Sequence, residues 1–497
     1  MRTLILISVV LFTACSRILA QDTSCGINWY PPIQISDGSY NAIFPKIAVS
    51  GVDTIHVVWQ RASQGSNIRL PYTRSTDGGL TFEPARELNT DSITYPFHFG
   101  WNYLVSGGDE IFIFCVGGTS ELWTPIHMIR SHDAGSTWDS LKNINSDSAG
   151  IISSVSILGD TIGIIHSFPG GYRRFISSTD KGLSWNRTKD SLDPSTTATL
   201  TSKAAHLIYT DFINYSIETV YRMSHDLGET WDRTMVISDT DGYESGVPII
   251  GSSSDVNDPP IVVAAWRDGK YGYGGILGGS IASRSGTVTG DSISWSQEEI
   301  LTDLPRGYPR DIAVKGTTGV VAWEEEIVYN KVFHPVTRMN KDLRGGTWCP
   351  TFDHNPLDTN EVASIQVAIS NKAIHIVWDQ KVSRTSRVRV FYQRGEFIPT
   401  SVGNNTKTDP DKILLAQNYP NPFNPITIIK YKVPDVEFVT IKLYDVFGRE
   451  LGTLVNERKQ AGEYEVEWNA TDLASGVYFY RILAGSLTQT KKAIVLK

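Results

Sequence analysis

Ser75-Thr76-Asp77-Gly78-Gly79-Leu80-Thr81-Phe82 is a turn written almost entirely in turn-forming residues, and the chain repeats it. The further copies are Ser131-His132-Asp133-Ala134-Gly135-Ser136-Thr137-Trp138, Ser178-Thr179-Asp180-Lys181-Gly182-Leu183-Ser184-Trp185 and Ser224-His225-Asp226-Leu227-Gly228-Glu229-Thr230-Trp231. Degenerate versions stand near Gly290 to Trp295 and at Gly345-Gly346-Thr347-Trp348. In the pattern Ser-x-Asp-x-Gly-x-Thr-Trp, the Asp carboxylate accepts from nearby backbone N–H groups and Gly supplies a positive φ. The aromatic residue then opens the next strand and can pack between neighbouring sheets. Each copy predicts a hairpin.

A second element keeps the same beat. Short apolar strands recur: Ile55-His56-Val57-Val58-Trp59, Ile111 to Cys115, Ile162 to His166, Ala205 to Tyr209, Val262 to Trp266, Gly319 to Trp323 and Ile374 to Trp378. From the last residue of each to the next, the intervals are 56, 51, 43, 57, 57 and 55. A third element, a bulky residue and then Pro, opens most units: Phe44-Pro45, Tyr95-Pro96, Val247-Pro248 and Tyr308-Pro309. Pro there predicts the first residue of a strand, where no ladder donor is needed. Each unit therefore reads as four strands, and four strands at this period describe the blade of a β-propeller. The last unit, residues 362–397, lacks a fourth strand, which Ile33-Gln34-Ile35-Ser36 can supply. Seven blades follow, with six as the alternative should one weak copy not form a blade.

The Asp-containing turns resemble the Asp-box (BNR) repeats of the sialidase superfamily, and they span most of residues 28–397. That resemblance implies a propeller whose Asp boxes are architectural. Asp77, Asp133, Asp180 and Asp226 are then turn carboxylates on the face opposite the ligand mouth. Ligand chemistry belongs at the other rim, at the starts of the innermost strands and the ends of the apolar ones. The candidates there are Lys46, Arg61, Arg267, Asp268, Tyr271, Arg310, Asp311, Glu325 and Asp379. Such a rim binds an anionic sugar through cations or cleaves a glycoside through carboxylates. A sialidase uses three Arg on the substrate carboxylate, a Tyr nucleophile paired with Glu, and an Asp acid/base. Here the family's Phe/Tyr-Arg-Ile-Pro motif is approached by Phe44-Pro45-Lys46-Ile47, where Lys lacks the planar fork. The resemblance carries fold further than activity.

Composition agrees with an all-β chain: among 497 residues there are 13 Trp, 21 Tyr, 18 Phe and 42 Gly, with 40% apolar residues. With 45 basic and 53 acidic groups the net charge is −8, and no basic stripe offers a nucleic-acid surface. Residues 1–20 carry Arg2, an apolar run from Leu4 to Ala14 and a small residue at Ala20, the pattern of a secretory signal peptide. Phe12-Thr13-Ala14-Cys15 is a weaker lipobox-like alternative. No other run is long enough to cross a bilayer as a helix. Past residue 20, Cys25, Cys115 and Cys349 remain, an odd count that leaves at least one unpaired; whether Cys25 pairs with Cys349 is open. No cofactor motif is present; Asp239-Thr240-Asp241-Gly242-Tyr243-Glu244 has calcium-type ligands but is too short for an EF-hand loop. His56, His206 and His375 lie within apolar strands and read as core residues.

Residues 398–411 read as a polar linker, and residues 412–497 as a second domain of short alternating strands, a small immunoglobulin-like β-sandwich. Asn418-Tyr419-Pro420-Asn421-Pro422-Phe423-Asn424-Pro425, Tyr444 to Glu450, Ala461 to Tyr464 and Ser475 to Tyr480 resemble a type IX secretion C-terminal sorting domain. The implied partner is the type IX machinery, and the implied location is the outer-membrane surface or the medium. The segment holds 11 basic and 9 acidic groups, which leaves 34 basic and 44 acidic groups before it. The expected function is a secreted sialidase-like propeller that binds glycans or glycoconjugates. Its alternatives are an exo-glycosidase of sialidase type and a non-catalytic protein-binding adhesin.

Overall fold

The computed structural model describes residues 20–22, 25–51, 53–62, 69–88, 102–116, 125–144, 151–167, 172–187, 192–193, 195–253, 259–270, 279–303, 306–328, 332–355, 362–381, 387–398, 414–415, 418, 421, 423–433, 436–445, 449–460, 462–484 and 487–496. Among them every regular element is a strand. Two compact units divide the chain, Met1–Pro399 and Thr400–Lys497. Residues 1–19 with Cys15, Tyr95-Pro96, Tyr271 and residues 399–411 lie outside the described set.

In the first unit seven antiparallel sheets follow one another, here numbered as blades 1 to 7 with strands lettered A to D outward. Blade 1 comprises Asn41–Ser50, Thr54–Ala62, Leu70–Ser75 and Arg86–Leu88. Strands A of blades 2 to 7 are Asn102–Gly107, Ile152–Leu158, Thr197–Leu200, Ser245–Ser252, Gly307–Lys315 and Val362–Ile369. Each strand A packs on strand A of the next blade, and that of blade 7 returns to blade 1. The ring closes with seven blades.

Strand B is apolar throughout because both of its faces are covered. Trp59 packs with Val377 and Tyr392 of blade 7, while its neighbour Val58 packs with Ile111 and Ile113 of blade 2. The Asp-box aromatics bind each blade to the one before it. Phe82 meets Tyr392, Trp138 meets Tyr72, Trp185 meets Phe114, Trp231 meets Phe175 and Trp295 meets Tyr221, all edge-to-face. Such pairs add about 0.5–1.5 kcal/mol each beyond area burial. The core histidines belong to the same joints. His56 joins Ser50 and the Tyr72 hydroxyl at 2.7 and 2.8 Å, and His375 joins Ser370 and Tyr392 likewise. Burial pushes His56 and His375 down to about 3, so both stay neutral. The Tyr72 hydroxyl leaves no room for a side chain at Gly135 of the next Asp box, where a Cβ would lie 1.9 Å from it.

The bulky-Pro pairs differ from expectation. Pro45, Pro248 and Pro309 do not begin strand A but lie within it, at or beside a break in register. A bulge also frees the residue from donating to the ladder, so Pro is tolerated. In blades 1, 5 and 7 the residue Phe44, Val247 or Ser364 takes a positive φ of 53°, 54° or 58°, a strained setting for non-glycine residues.

Ring closure uses more of the N-terminus than Ile33–Gln34. That strand pairs with strand C of blade 7 (Val388–Phe397), and Ile27–Trp29 pairs with the same strand further along. A Cys25–Cys349 disulfide ties this segment to blade 6, and Cys115 is buried and takes no part in a disulfide. In the second unit, Leu414–Leu415, Ile426–Val433 and Gly462–Asn469 form one sheet. Glu450–Lys459, Glu437–Tyr444, Gly476–Ala484 and Leu487–Val495 form the other. They enclose one core around Ile429, Ile441, Trp468 and Tyr480, a β-sandwich. Glu450–Lys459 escaped the sequence reading because it is a polar, mostly exposed edge strand, with charge where an edge needs protection.

Candidate ligand site at the channel mouth

The Asp boxes face away from this site and are satisfied locally. The Asp133 carboxylate accepts from Thr137 N at 2.8 Å, the Thr137 hydroxyl at 2.7 Å and Ser131 Oγ at 2.9 Å. The backbone N–H and hydroxyl of Thr137 hold it down to about 2. Asp77, Asp180 and Asp226 repeat the arrangement.

Strands A of all seven blades line a central channel of about 370 Å³. At the end where those strands begin, it opens into a cavity of about 360 Å³. Phe44, Lys46, Tyr103, Ile151, Ile152, Ser153, Arg173, Arg310, Ser364 and Gln366 form its wall. Lys46 reaches in from the blade 1 bulge; its ammonium donates to Gln366 Oε1 at 3.2 Å and lies 4.9 Å from the Tyr103 ring centroid. Burial lowers its pKa, against the opposing pull of Asp311. Arg173 begins strand C of blade 3 (Arg173–Ser178) and donates to Ile151 O at 3.2 Å. Arg310 donates to Glu324 Oε2 at 2.6 Å, with its side chain 44% exposed against 5% for Glu324. Three cations from blades 1, 3 and 6 thus share one cavity.

The nearby carboxylates are committed to backbone. Glu324 accepts from Ser364 N at 2.6 Å and Asp379 from Phe44 N at 2.8 Å. Each side chain therefore fastens the strained bulge of the following blade, in line with the structural cost of such backbone. Asp311 lies just inside the channel and accepts from Ile312 N and Val367 N at 3.0 and 2.9 Å. Burial pushes Asp311 up to about 6 and Asp379 up to about 8, the latter helped by the Glu324 charge. The Tyr103 hydroxyl donates to Ser153 O at 2.7 Å, and burial raises its pKa.

Of the rim candidates, Lys46 and Arg310 meet in the cavity and Asp311 beneath it. Arg61 instead bonds Glu87 at 2.5 Å and lies 4.6 Å from the Tyr40 ring. Arg267 lies 5.8 Å from the Tyr308 ring. Asp268 is buried between Ser245 Oγ and Lys270 N, and Glu325 is buried opposite Gly307. Sequence reasoning missed Arg173, Tyr103 and Gln366. The start of strand C lies on the same rim as the end of strand B, a signal that points to Arg173. In the acidic run, Asp241 pairs with Lys270 at 2.9 Å. Among the described residues, no group of three or more His, Cys, Asp or Glu side chains is arranged to hold a metal ion.

Residues 27–276 match the BNR repeat-like domain, and the chain belongs to that family. Residues 417–496 match the secretion system C-terminal sorting domain. The protein is therefore a type IX cargo, delivered to the cell surface or the extracellular space. No helix among the described residues is long and apolar enough to cross a membrane. No curated protein matches the chain. Among solved structures, the GH93 α-L-arabinofuranosidase of Fusarium graminearum with arabinobiose is similar at 14% identity and TM-score 0.42, over 73% of this chain and 97% of that one. YCF48 bound to D1 peptide is similar at 15% identity and TM-score 0.44, over 74% and 96%. Trypanosoma rangeli sialidase in complex with sialic acid gives 9% identity and TM-score 0.41, over 93% and 86%.

Proposed function

We propose that this protein is an exported glycan-binding propeller that holds acidic glycans or glycoconjugates at the channel mouth. The observation that carries this reading is the meeting of Lys46, Arg173 and Arg310 on one cavity of about 360 Å³. Cations spread over three blades favour an anionic group, since charge-assisted hydrogen bonds are roughly twice as strong as neutral ones. The placement of Tyr103 speaks against sialidase chemistry. Its hydroxyl is donated to a backbone carbonyl, and among the described residues no Glu lines the cavity beside it to act as its partner.

Hydrolysis is the second reading, and one observation favours it. Asp379, pushed up to about 8, sits within electrostatic reach of Glu324, which Arg310 pairs. A carboxyl group that keeps its proton near neutral pH is suited to act as a general acid. The deciding experiment gives the purified full chain both a glycan array and fluorogenic sialoside and arabinofuranoside substrates. Retention of acidic glycans without turnover supports binding. Turnover abolished by Asp379→Asn would transfer the site to the hydrolases, and retention of no glycan would leave a protein-binding role.

A further inference from the structure

Lys46 stands in an unusual setting for an ammonium. A lysine carries three N–H donors, yet among the described residues Lys46 makes a single hydrogen bond, to Gln366 Oε1 at 3.2 Å, and no ion pair with a carboxylate. Lysines held this deep in a protein are ordinarily paired. The carboxylates around it are engaged elsewhere. Glu324 takes Arg310 at 2.6 Å, Asp379 receives Phe44 N and keeps its proton near neutral pH, and Asp311 receives Ile312 N and Val367 N.

Burial favours the neutral amine of Lys46 and outweighs the pull of Asp311; the Arg310 charge works with burial, and Asp379 against it. At a given pH more of Lys46 is therefore free amine than of an exposed lysine. A desolvated lysine beside another cation is a setting that turns an amine into a nucleophile. The side chain is also within reach of a small solute. Lys46 is half-buried and lines both the channel and the cavity of about 360 Å³ at its mouth.

We propose that Lys46 is an aldehyde-capturing amine, the nucleophile of a covalent site at the channel mouth. Its Nζ lone pair adds to the carbonyl carbon of an aldehyde. The C–N bond forms, the carbonyl oxygen leaves as water with both amine hydrogens, and an imine remains. No oxidant or reductant is consumed, and added water reverses the step. The protonated imine keeps a positive charge at this position, so capture leaves the charge of the mouth in place. The open-chain form of a reducing sugar is the aldehyde that a glycan-binding mouth would meet. The proposal goes beyond the acidic-glycan reading and does not need it, because the amine and the cavity are sufficient.

The test treats the full chain with propanal and sodium cyanoborohydride, which passes hydride to the imine carbon and fixes it as a secondary amine. Peptide mass spectrometry gives the rate at each lysine, with exposed Lys203 and Lys430 as internal references. Near neutral pH, Lys46 should be modified at least about fivefold faster than either reference. Its rate should also level off at a lower pH than theirs, which greater access alone would not produce. Gln366→Glu supplies the missing counter-ion and should slow Lys46 by about tenfold, with the two references unchanged. Modification of Lys46 no faster than the references, or a pH profile that coincides with theirs, would overturn the proposal. So would an unchanged Lys46 rate in Gln366→Glu. The glycan array tests the acidic-glycan reading separately, whichever way Lys46 behaves.

Discussion

Replacing Gly135 by Ala tests the joint between an Asp box and the blade before it. Gly135 has φ +78°, and an added Cβ would lie 1.9 Å from Tyr72 Oη and 3.2 Å from His56 Nδ1. Gly108, at φ +67° with open space around it, isolates the backbone contribution. Forcing Ala into that left-handed setting costs about 1–2 kcal/mol at either site. At Gly135 the methyl must also push the tyrosine aside. That overpacks a tight joint, at about 1–3 kcal/mol, and breaks the 2.8 Å bond between Tyr72 and His56. The broken bond leaves a buried polar group unmet, at about 1–3 kcal/mol more. Gly135→Ala should therefore exceed Gly108→Ala by about 2–6 kcal/mol in chemical denaturation. Adding Tyr72→Phe should recover part of the loss, because it removes the clashing oxygen, and the two changes will be non-additive. Equal destabilisation by Gly135→Ala and Gly108→Ala would refute the joint as described.

Other consequences reach the termini and the channel. Replacing Cys25 and Cys349 by Ser removes a tie across 324 residues. Chain-entropy reasoning puts its loss at up to about 5–6 kcal/mol. The strand pairings of Ile27–Trp29 should hold the ring together, so the variant should fold with a lower melting temperature; an unchanged one would refute the tie. Asp311 binds its proton more tightly in the folded chain, about 6 against an ordinary 3.8. Its contribution to stability is thus present at low pH and lost as pH rises from about 4 through 6, by up to about 3 kcal/mol. Asp311→Asn should flatten the stability profile across that window relative to the parent; parallel profiles would refute the buried charge. Deleting residues 412–497 should hold the propeller in the periplasm, and normal surface yield on fractionation would contradict that routing.

The parts of this molecule written in local chemistry were legible before any coordinates. An Asp box needs its Ser, Asp, Gly and aromatic within eight positions, and strand B needs an unbroken apolar run, so both survive as patterns. The ring closure by Ile33–Gln34 followed from counting strands, but Ile27–Trp29 did not, because three residues carry no periodicity to read. The mouth was half visible. Lys46 and Arg310 stand beside Pro markers, whereas Tyr103 and Gln366 occupy strand positions indistinguishable from core or surface without the ring that gathers them. Asp379 was read as a ligand contact on its position after Trp378. The ring shows why an acid stands there: the carboxylate receives the Phe44 N–H from the next blade's bulge, a contact across 335 residues that no local pattern announces.

One measurement separates the mouth from the rest of the rim. Lys46→Gln/Arg173→Gln removes two cavity cations, and Arg61→Gln/Arg267→Gln removes the same charge from rim positions that pack on Tyr40 and Tyr308 instead. Both proteins are titrated with the acidic glycan that the array selects, at one ionic strength, since unscreened charge would blur the comparison. If the cavity holds the ligand, the first pair loses binding by about a hundredfold, roughly tenfold for each charge-assisted bond, while the second stays within about twofold of the parent. Retained affinity in the cavity pair, or an equal loss in the rim pair, would contradict it.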